Sequence, residues 1–169
     1  DQIFCVVDIE TSGGINSGQI IEIGALKLQN GEIIGKFETF VYAPYVPENI
    51  SELTGITAEH LKNAPSLAFV MEQFKVFLGQ SVFVAHNVRF DYGFISATLE
   101  ALGYGELLNR KLCTIDLARR TIASPKYGLG TLKEILGINN AHHRALSDAI
   151  SAAEIFKHSL QKLPSEVKT

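Results

Sequence analysis

Two β-rich runs, QIIEIGALKLQ at residues 19–29 and EIIGKFETFVY at residues 32–42, are joined by Asn30-Gly31. Asn-Gly between such runs is the strongest short-range hairpin signal, because both residues tolerate the positive φ of a tight turn. With the apolar run IFCVV before them, the chain opens as three consecutive strands, a meander. YAPYVPENIS (42–51) then reads as a Pro-punctuated loop, and the hydrophobic period changes. SLAFVMEQFKVFLG (66–79) puts Leu67, Val70, Met71, Phe74, Phe77 and Leu78 on one helical face, with Ser66 as N-cap. SVFVAH is a short buried strand, FDYGFISATLEALGYG a helix closed by Gly103, and KLCTI another short strand. TIDLARRTIA is a helix ended by Ser124-Pro125, and TLKEILG a brief helix capped by Thr131 and stopped by Gly137. A last helix covers residues 144–163. Hairpins first and strand–helix alternation afterwards imply an α/β domain, one mixed sheet with helices packed around it.

At 169 residues, 46% hydrophobic and 20% charged, the chain suits one soluble globular domain spanning residues 1–169. No internal repeat or low-complexity linker interrupts it. The net charge of −3 supplies no global attraction to nucleic acid or anionic lipid, although bound cations can reverse the field at one site. No apolar run is long enough to cross a bilayer and no signal-peptide pattern is present, which places the chain in the cytoplasm. Cys5 and Cys113 each sit in an apolar run and read as reduced core thiols rather than a disulfide. The chain begins at Asp1 rather than Met, as a domain cut from a longer protein would.

Acids interrupt the pattern in three places. In FCVVDIETSGG, Asp8 and Glu10 share one face at the end of a strand whose other residues are apolar. Two adjacent carboxylates on a drying surface repel and are costly to desolvate. Either a cation sits between them, or the pair has left the sheet and Glu10 caps a turn before Gly13-Gly14. In HNVRFDYGFI, Asp91 falls at a helix start, where a capping acid is common. In HHRALSDAISAAEIF, Asp148 lies on the helix face shared with Ala145, Ala149, Ala152 and Ile155, where an acid needs a partner. His143 precedes it by five residues, next to His142.

Taken in order, VVDIETSG, HNVRFDYGFI and HRALSDA resemble the three motifs of the DnaQ-like 3′–5′ exonucleases of the DEDDh subgroup, named for four acids and a histidine. The segments ELTGIT, CTIDLAR and GLGTLKEILGI also look like the family's connecting segments, so the similarity spans almost the whole chain. The resemblance implies a ribonuclease H-like fold, a five-stranded mixed sheet flanked by helices. It implies that Asp8, Glu10, Asp91 and Asp148 bind two divalent cations, Mg²⁺ or Mn²⁺ to suit hard oxygen ligands. His143 is implied as the general base, in preference to His142 on motif spacing, since imidazole changes charge near neutral pH.

By the same similarity, Ile9 and Thr11 meet the terminal sugar, and Leu53, Thr54, Asn87 and Phe90 contact the substrate. Phe90 reads equally as an aromatic face for a base or as core packing. Thr54 stands where many relatives carry His, a departure shared with exonuclease domains built into or beside bacterial replicative polymerases. The expected activity is therefore release of nucleoside 5′-monophosphates from a single-stranded or frayed DNA 3′ end, as proofreading for such a polymerase. An RNA 3′-end trimming enzyme uses the same chemistry, and a silent nucleic-acid-binding module would lack one of the five residues present here. A small-molecule phosphohydrolase would want a Gly-rich phosphate loop, and no Walker-type sequence occurs. Arg89, Lys126 and Arg144 are candidates for a basic rim, or ordinary solvated charges.

Overall fold

The structure, a computed structural model, describes residues 1–140 and 143–163, so His142 lies outside the described residues. The meander forms as expected: β1 (Ile3–Thr11), β2 (Ile20–Gln29) and β3 (Glu32–Phe40) pair antiparallel in sequence. Asn30 and Gly31 take φ of 53° and 79° at the β2–β3 turn. β4 (Val82–Ala85) then adds parallel to β1, and β5 (Lys111–Cys113) parallel to β4. The result is a five-stranded mixed sheet of order β3-β2-β1-β4-β5. β1 is the strand at which antiparallel pairing gives way to parallel.

Successive side chains of β1 enter opposite layers of core. Cys5, Val7 and Ile9 pack against α3 (Leu67–Leu78) and α4 (Val88–Ala101) through Met71, Phe74, Ile95 and Leu99. Burial pushes the Cys5 thiol up to about 12, which makes it a packing group rather than a nucleophile. On the other face, Val6 meets Leu26, Val84 and the alanine-rich side of α7 (Ala145–Lys162). Asp8 and Glu10 continue this second face by the same alternation. α5 (Thr114–Thr121) and α6 (Leu129–Leu136) cover the outer side of α7 through Ala118, Ile122, Leu132 and Ile155.

Three boundaries differ from the sequence reading. The Pro-punctuated segment is not wholly loop, because α1 (Glu48–Thr54) starts directly after Pro47 and stops at Gly55 with φ 76°. Proline is well placed at a helix start, where its missing N–H leaves no bond unmade. A four-residue α2 (Ala58–Leu61) follows, with Thr57 and His60 closing its capping box. α6 begins at Leu129 after Gly128, so Thr131 lies inside the helix rather than capping it. Leu129 and Leu136 join Leu132 against Ala118, and that contact extends the helix backward. Ser66 does cap α3, accepting the Phe69 N–H at 3.2 Å.

α7 approaches the sheet closely at one point. A Cβ at Gly24 would lie 2.1 Å from the Leu146 backbone nitrogen and 2.3 Å from the Ala145 carbonyl carbon. Neither neighbour is a side-chain end that could swing away. Gly24→Ala should therefore displace the start of α7 and lower the free energy of unfolding by about 3 kcal/mol. Gly93, inside α4 with nothing within 4 Å of its Cβ position, supplies the contrast. Gly93→Ala should raise stability by about 0.5–1 kcal/mol. Denaturant unfolding followed by circular dichroism measures both; equal effects would mean that α7 does not rest on Gly24.

Candidate active site

β4 pairs with β1 only as far as Val6↔Val84, whereas β1 continues to Thr11. Past that point the edge of β1 is open to groups from elsewhere. The Ile9 backbone N–H donates to Asp91 Oδ2 at 3.1 Å. Asp91 is thus a first-turn acid of α4, as its position suggested, but one that ties the helix to β1 while fully buried. The bond also occupies the Ile9 amide, one of the groups expected to meet a terminal sugar.

α4 starts from an unusual backbone. Asn87 has φ 74° and ψ 63°, and the turn it makes brings Phe90 and Asp91 round to the end of β1. Before it, His86 Nε2 lies 2.8 Å from the Tyr127 carbonyl and Nδ1 lies 2.6 Å from the Thr114 hydroxyl. A carbonyl only accepts, so Nε2 carries the hydrogen and Nδ1 accepts from Thr114. Burial lowers the His86 pKa, in keeping with this neutral ring that links β4 to α5 and to the segment before α6.

α7 brings the remaining members. Asp148, in its first turn, is buried and accepts the His143 N–H on Oδ2 at 3.1 Å. His143 has φ 61°, a left-handed conformation that costs a non-glycine residue about 1–3 kcal/mol and needs surroundings that hold it. Ligand atoms of Glu10, His143 and Asp148 lie within 4.8 Å of one another. Together with Asp8, Ile9, Leu53, Asn87, Phe90 and Asp91 they line an open cavity of about 320 Å³, to which His86 and Leu129 also contribute.

Every site residue expected from the sequence lines this cavity except Thr11 and Thr54. Thr11 follows a bulge in the β1–β2 ladder. Thr54 is turned inward: its hydroxyl donates to the Ile50 carbonyl at 2.8 Å and accepts the Ile56 N–H at 3.1 Å, closing the end of α1. Leu53 beside it is 56% exposed and faces the cavity instead. Phe90 is 44% exposed, with its ring tilted at 57° to that of Phe94, so it stands at the cavity mouth rather than beneath the helix. Arg89 and Lys126 are exposed, but Arg144 is not a free rim charge. It bonds to Glu22, a buried acid of β2 that the sequence reading passed over. The available signal was an acid in the middle of the apolar run IIEIG.

The cavity concentrates negative charge. The Asp8 carboxyl is driven well above its ordinary range by burial first, then by Asp91, Asp148, Glu10 and Glu22. Glu10 is raised to about 8 by burial, with Asp148 and Glu22 adding to the rise and Arg144 opposing it. Burial likewise raises Asp91, against the opposing bond from Ile9. Asp8 Oδ2 is buried with no hydrogen-bond partner among the described residues. An orphaned carboxylate oxygen among other carboxylates fits a hard divalent cation.

Residues 5–156 match the protein family described as Exonuclease. The chain is 42% identical to the PolC-type DNA polymerase III of Clostridium perfringens over 171 residues, covering 99% of this chain and 12% of that protein. It is 41% identical to the corresponding protein of Staphylococcus aureus strain bovine RF122, covering 96% and 12%. The chain thus spans only 12% of the length of these relatives. Escherichia coli exonuclease I in complex with a dT13 oligonucleotide superposes with a TM-score of 0.89 at 18% identity, covering 99% of this chain and 43% of that one. Exonuclease X in complex with 5′ overhanging duplex DNA gives 0.71 at 24% identity, covering 96% and 95%. The shared fold is the ribonuclease H-like one. Among the described residues no helix is long and apolar enough to cross a membrane.

The raised carboxyl groups make stability depend on pH and on cations. Folded Glu10 holds its proton to about pH 8, whereas its ordinary value is 4.5. Between these values the native state binds more protons than the unfolded chain, so stability falls as pH rises. In EDTA, the melting temperature should fall from pH 5 to pH 8 and recover at pH 8 on addition of Mg²⁺ or Mn²⁺. Asp8→Asn should flatten the pH dependence. Scanning calorimetry reads all three, and a melting temperature that rises with pH in EDTA would refute the assignment of the acids to one dry cluster.

Proposed function

Because the chain belongs to the Exonuclease family, we propose that its acidic cavity is the active site of a 3′–5′ exodeoxyribonuclease that releases nucleoside 5′-monophosphates. Residues 1–169 form a single exonuclease domain in this reading. One observation carries it: Asp8, Glu10, Asp91, Asp148 and His143, from three separate elements and the entry to α7, converge on one open cavity. Asp8, Glu10, Asp91 and Asp148 would hold two divalent cations, Mg²⁺ or Mn²⁺. Such ions stabilise the entering and leaving oxygens of an in-line displacement at phosphorus.

The protein's own residues do the rest. His143, beside Glu10 and Asp148, accepts a proton from the attacking water at its imidazole. Leu53 and Phe90 present exposed apolar surface at the cavity mouth, where the terminal bases stack. The identity to PolC-type polymerases over nearly the whole chain supports a proofreading role beside a replicative polymerase in the cytoplasm, acting on a single-stranded or frayed DNA 3′ end. The oligonucleotide bound to exonuclease I, which shares this fold, is the supporting analogy for a single-stranded substrate.

Matched 5′-labelled DNA and RNA single strands, incubated with Mg²⁺, test the reading. The DNA should shorten stepwise from its 3′ end, and EDTA should stop it. His143→Ala should lower kcat by about 10²–10⁴-fold while cation binding, followed by calorimetry, persists. Phe90→Ala should raise KM by about tenfold with a smaller effect on kcat, from the loss of base stacking. Preference for RNA would keep the mechanism and replace the biological role. No metal-dependent cleavage of either strand would overturn the proposal.

A further inference from the structure

One face of the sheet carries a row of three residues across three strands. Glu10 of β1 is opposite Glu22 of β2, and Glu22 is opposite Phe40 of β3. Arg144, the residue after His143, lies over this row. Its Nη2 and Nε donate to Glu22 Oε2 at 3.0 and 3.2 Å, and its guanidinium sits 5.1 Å from the centre of the Phe40 ring. The other oxygen, Glu22 Oε1, accepts the Ala145 N–H at 3.0 Å. Glu22 is 1% exposed and makes all three bonds to two consecutive residues.

Arg144 supplies no side-chain cap to α7, and Glu22 takes that role from another strand. A carboxylate at a helix N-terminus also meets the positive end of the helix dipole. Gly24, one step along the same face of β2, leaves the room that brings the Ala145–Leu146 backbone down to the sheet. His143 is therefore held from both sides. Its own N–H is bonded to Asp148, and the two residues after it are fastened to Glu22. Its left-handed backbone needs such support.

We infer that Glu22, acting with Arg144, is a positioning residue of the nuclease site, fixing the backbone of His143 in register with Glu10. This rests on the proposed role of His143 as base, and on the geometry of a pair outside the expected set of site residues. The register has one physical cause: the strand pairing that aligns Glu22 with Glu10 also aligns whatever Glu22 holds. Arg144 is the half-exposed member of the pair, 46% exposed, so it can be changed without emptying the core.

Amide hydrogen exchange on the whole chain, read residue by residue, is the first arm of the test. Glu22→Gln and Arg144→Gln should both speed exchange at Ala145 and its neighbours in the first turn of α7, with core strands unaffected. Should Glu22→Gln not fold, Arg144→Gln carries the test alone. Unchanged protection in the folded variants would overturn the inference, whatever His143 does. The second arm is kinetic. Each variant should lower kcat about 10- to 100-fold with KM nearly unchanged, the expected effect of a misplaced catalytic group. Arg144→Lys, which keeps the charge but not the guanidinium geometry, should recover part of the rate. In a His143→Ala background, Glu22→Gln should cost almost nothing more, because no base is left to position. Full additivity would overturn the inference. Altered exchange together with a fully active His143→Ala would instead remove His143 as the base, leaving Glu22 as a clamp without a catalytic client.

Discussion

Five carboxylates crowd one end of the sheet, and Glu22 is joined there to the Arg144 guanidinium. The rest of the site follows from how the other four are kept there. Burial among other carboxylates raises the pKa of a carboxyl group, as it does for Asp8 and Glu10 here. A fold that instead relied on such groups for stability would be poorly served. On the proposed function they would serve as ligands whose compensating charge arrives from solution. The negative net charge points the same way, since the polyanionic substrate of the proposed function would gain nothing from it. On the proposed function attraction has to be local, and divalent cations would supply it.

The architecture meets this demand by interrupting pairing where β1 changes from antiparallel to parallel neighbours. β4 stops early, which leaves the Ile9 N–H to Asp91 and an open edge where α4 can reach in. α7 reaches the same place from the opposite face of the sheet, with small residues along its inner side. Left-handed backbone at Asn87 and His143 falls on the two approaches to the cavity. Local strain of this kind persists where surrounding bonds overdetermine it. The Glu22–Arg144 pair, the Asp148 bond and the His86 links to Thr114 and Tyr127 are those bonds.

The fold is shared with exonuclease I at a TM-score of 0.89 although only 18% of residues are identical. Many side-chain combinations can fill the two core layers. The PolC-type relatives share far more of the sequence over the same span.

The sequence by itself determined the sheet and most of its helices. Asn30-Gly31 marked the hairpin, Ser66 capped α3, and apolar periodicity placed the buried faces, because these are effects of neighbours three or four residues apart. It also carried the acids and His143, since acids that interrupt apolar runs stand out in the sequence itself. Helix starts at Glu48 and Leu129 were less legible: Pro47 and the Leu129 contact with α5 act there against the local appearance of a loop. Only the tertiary structure decided that Thr54 turns away from the cavity while Leu53 faces it, a difference of one step around a helix. Only it joined Glu22 to Arg144, residues separated by 122 positions. That bond depends on strand register and on the space left at Gly24, and neither is a property of any short stretch of chain.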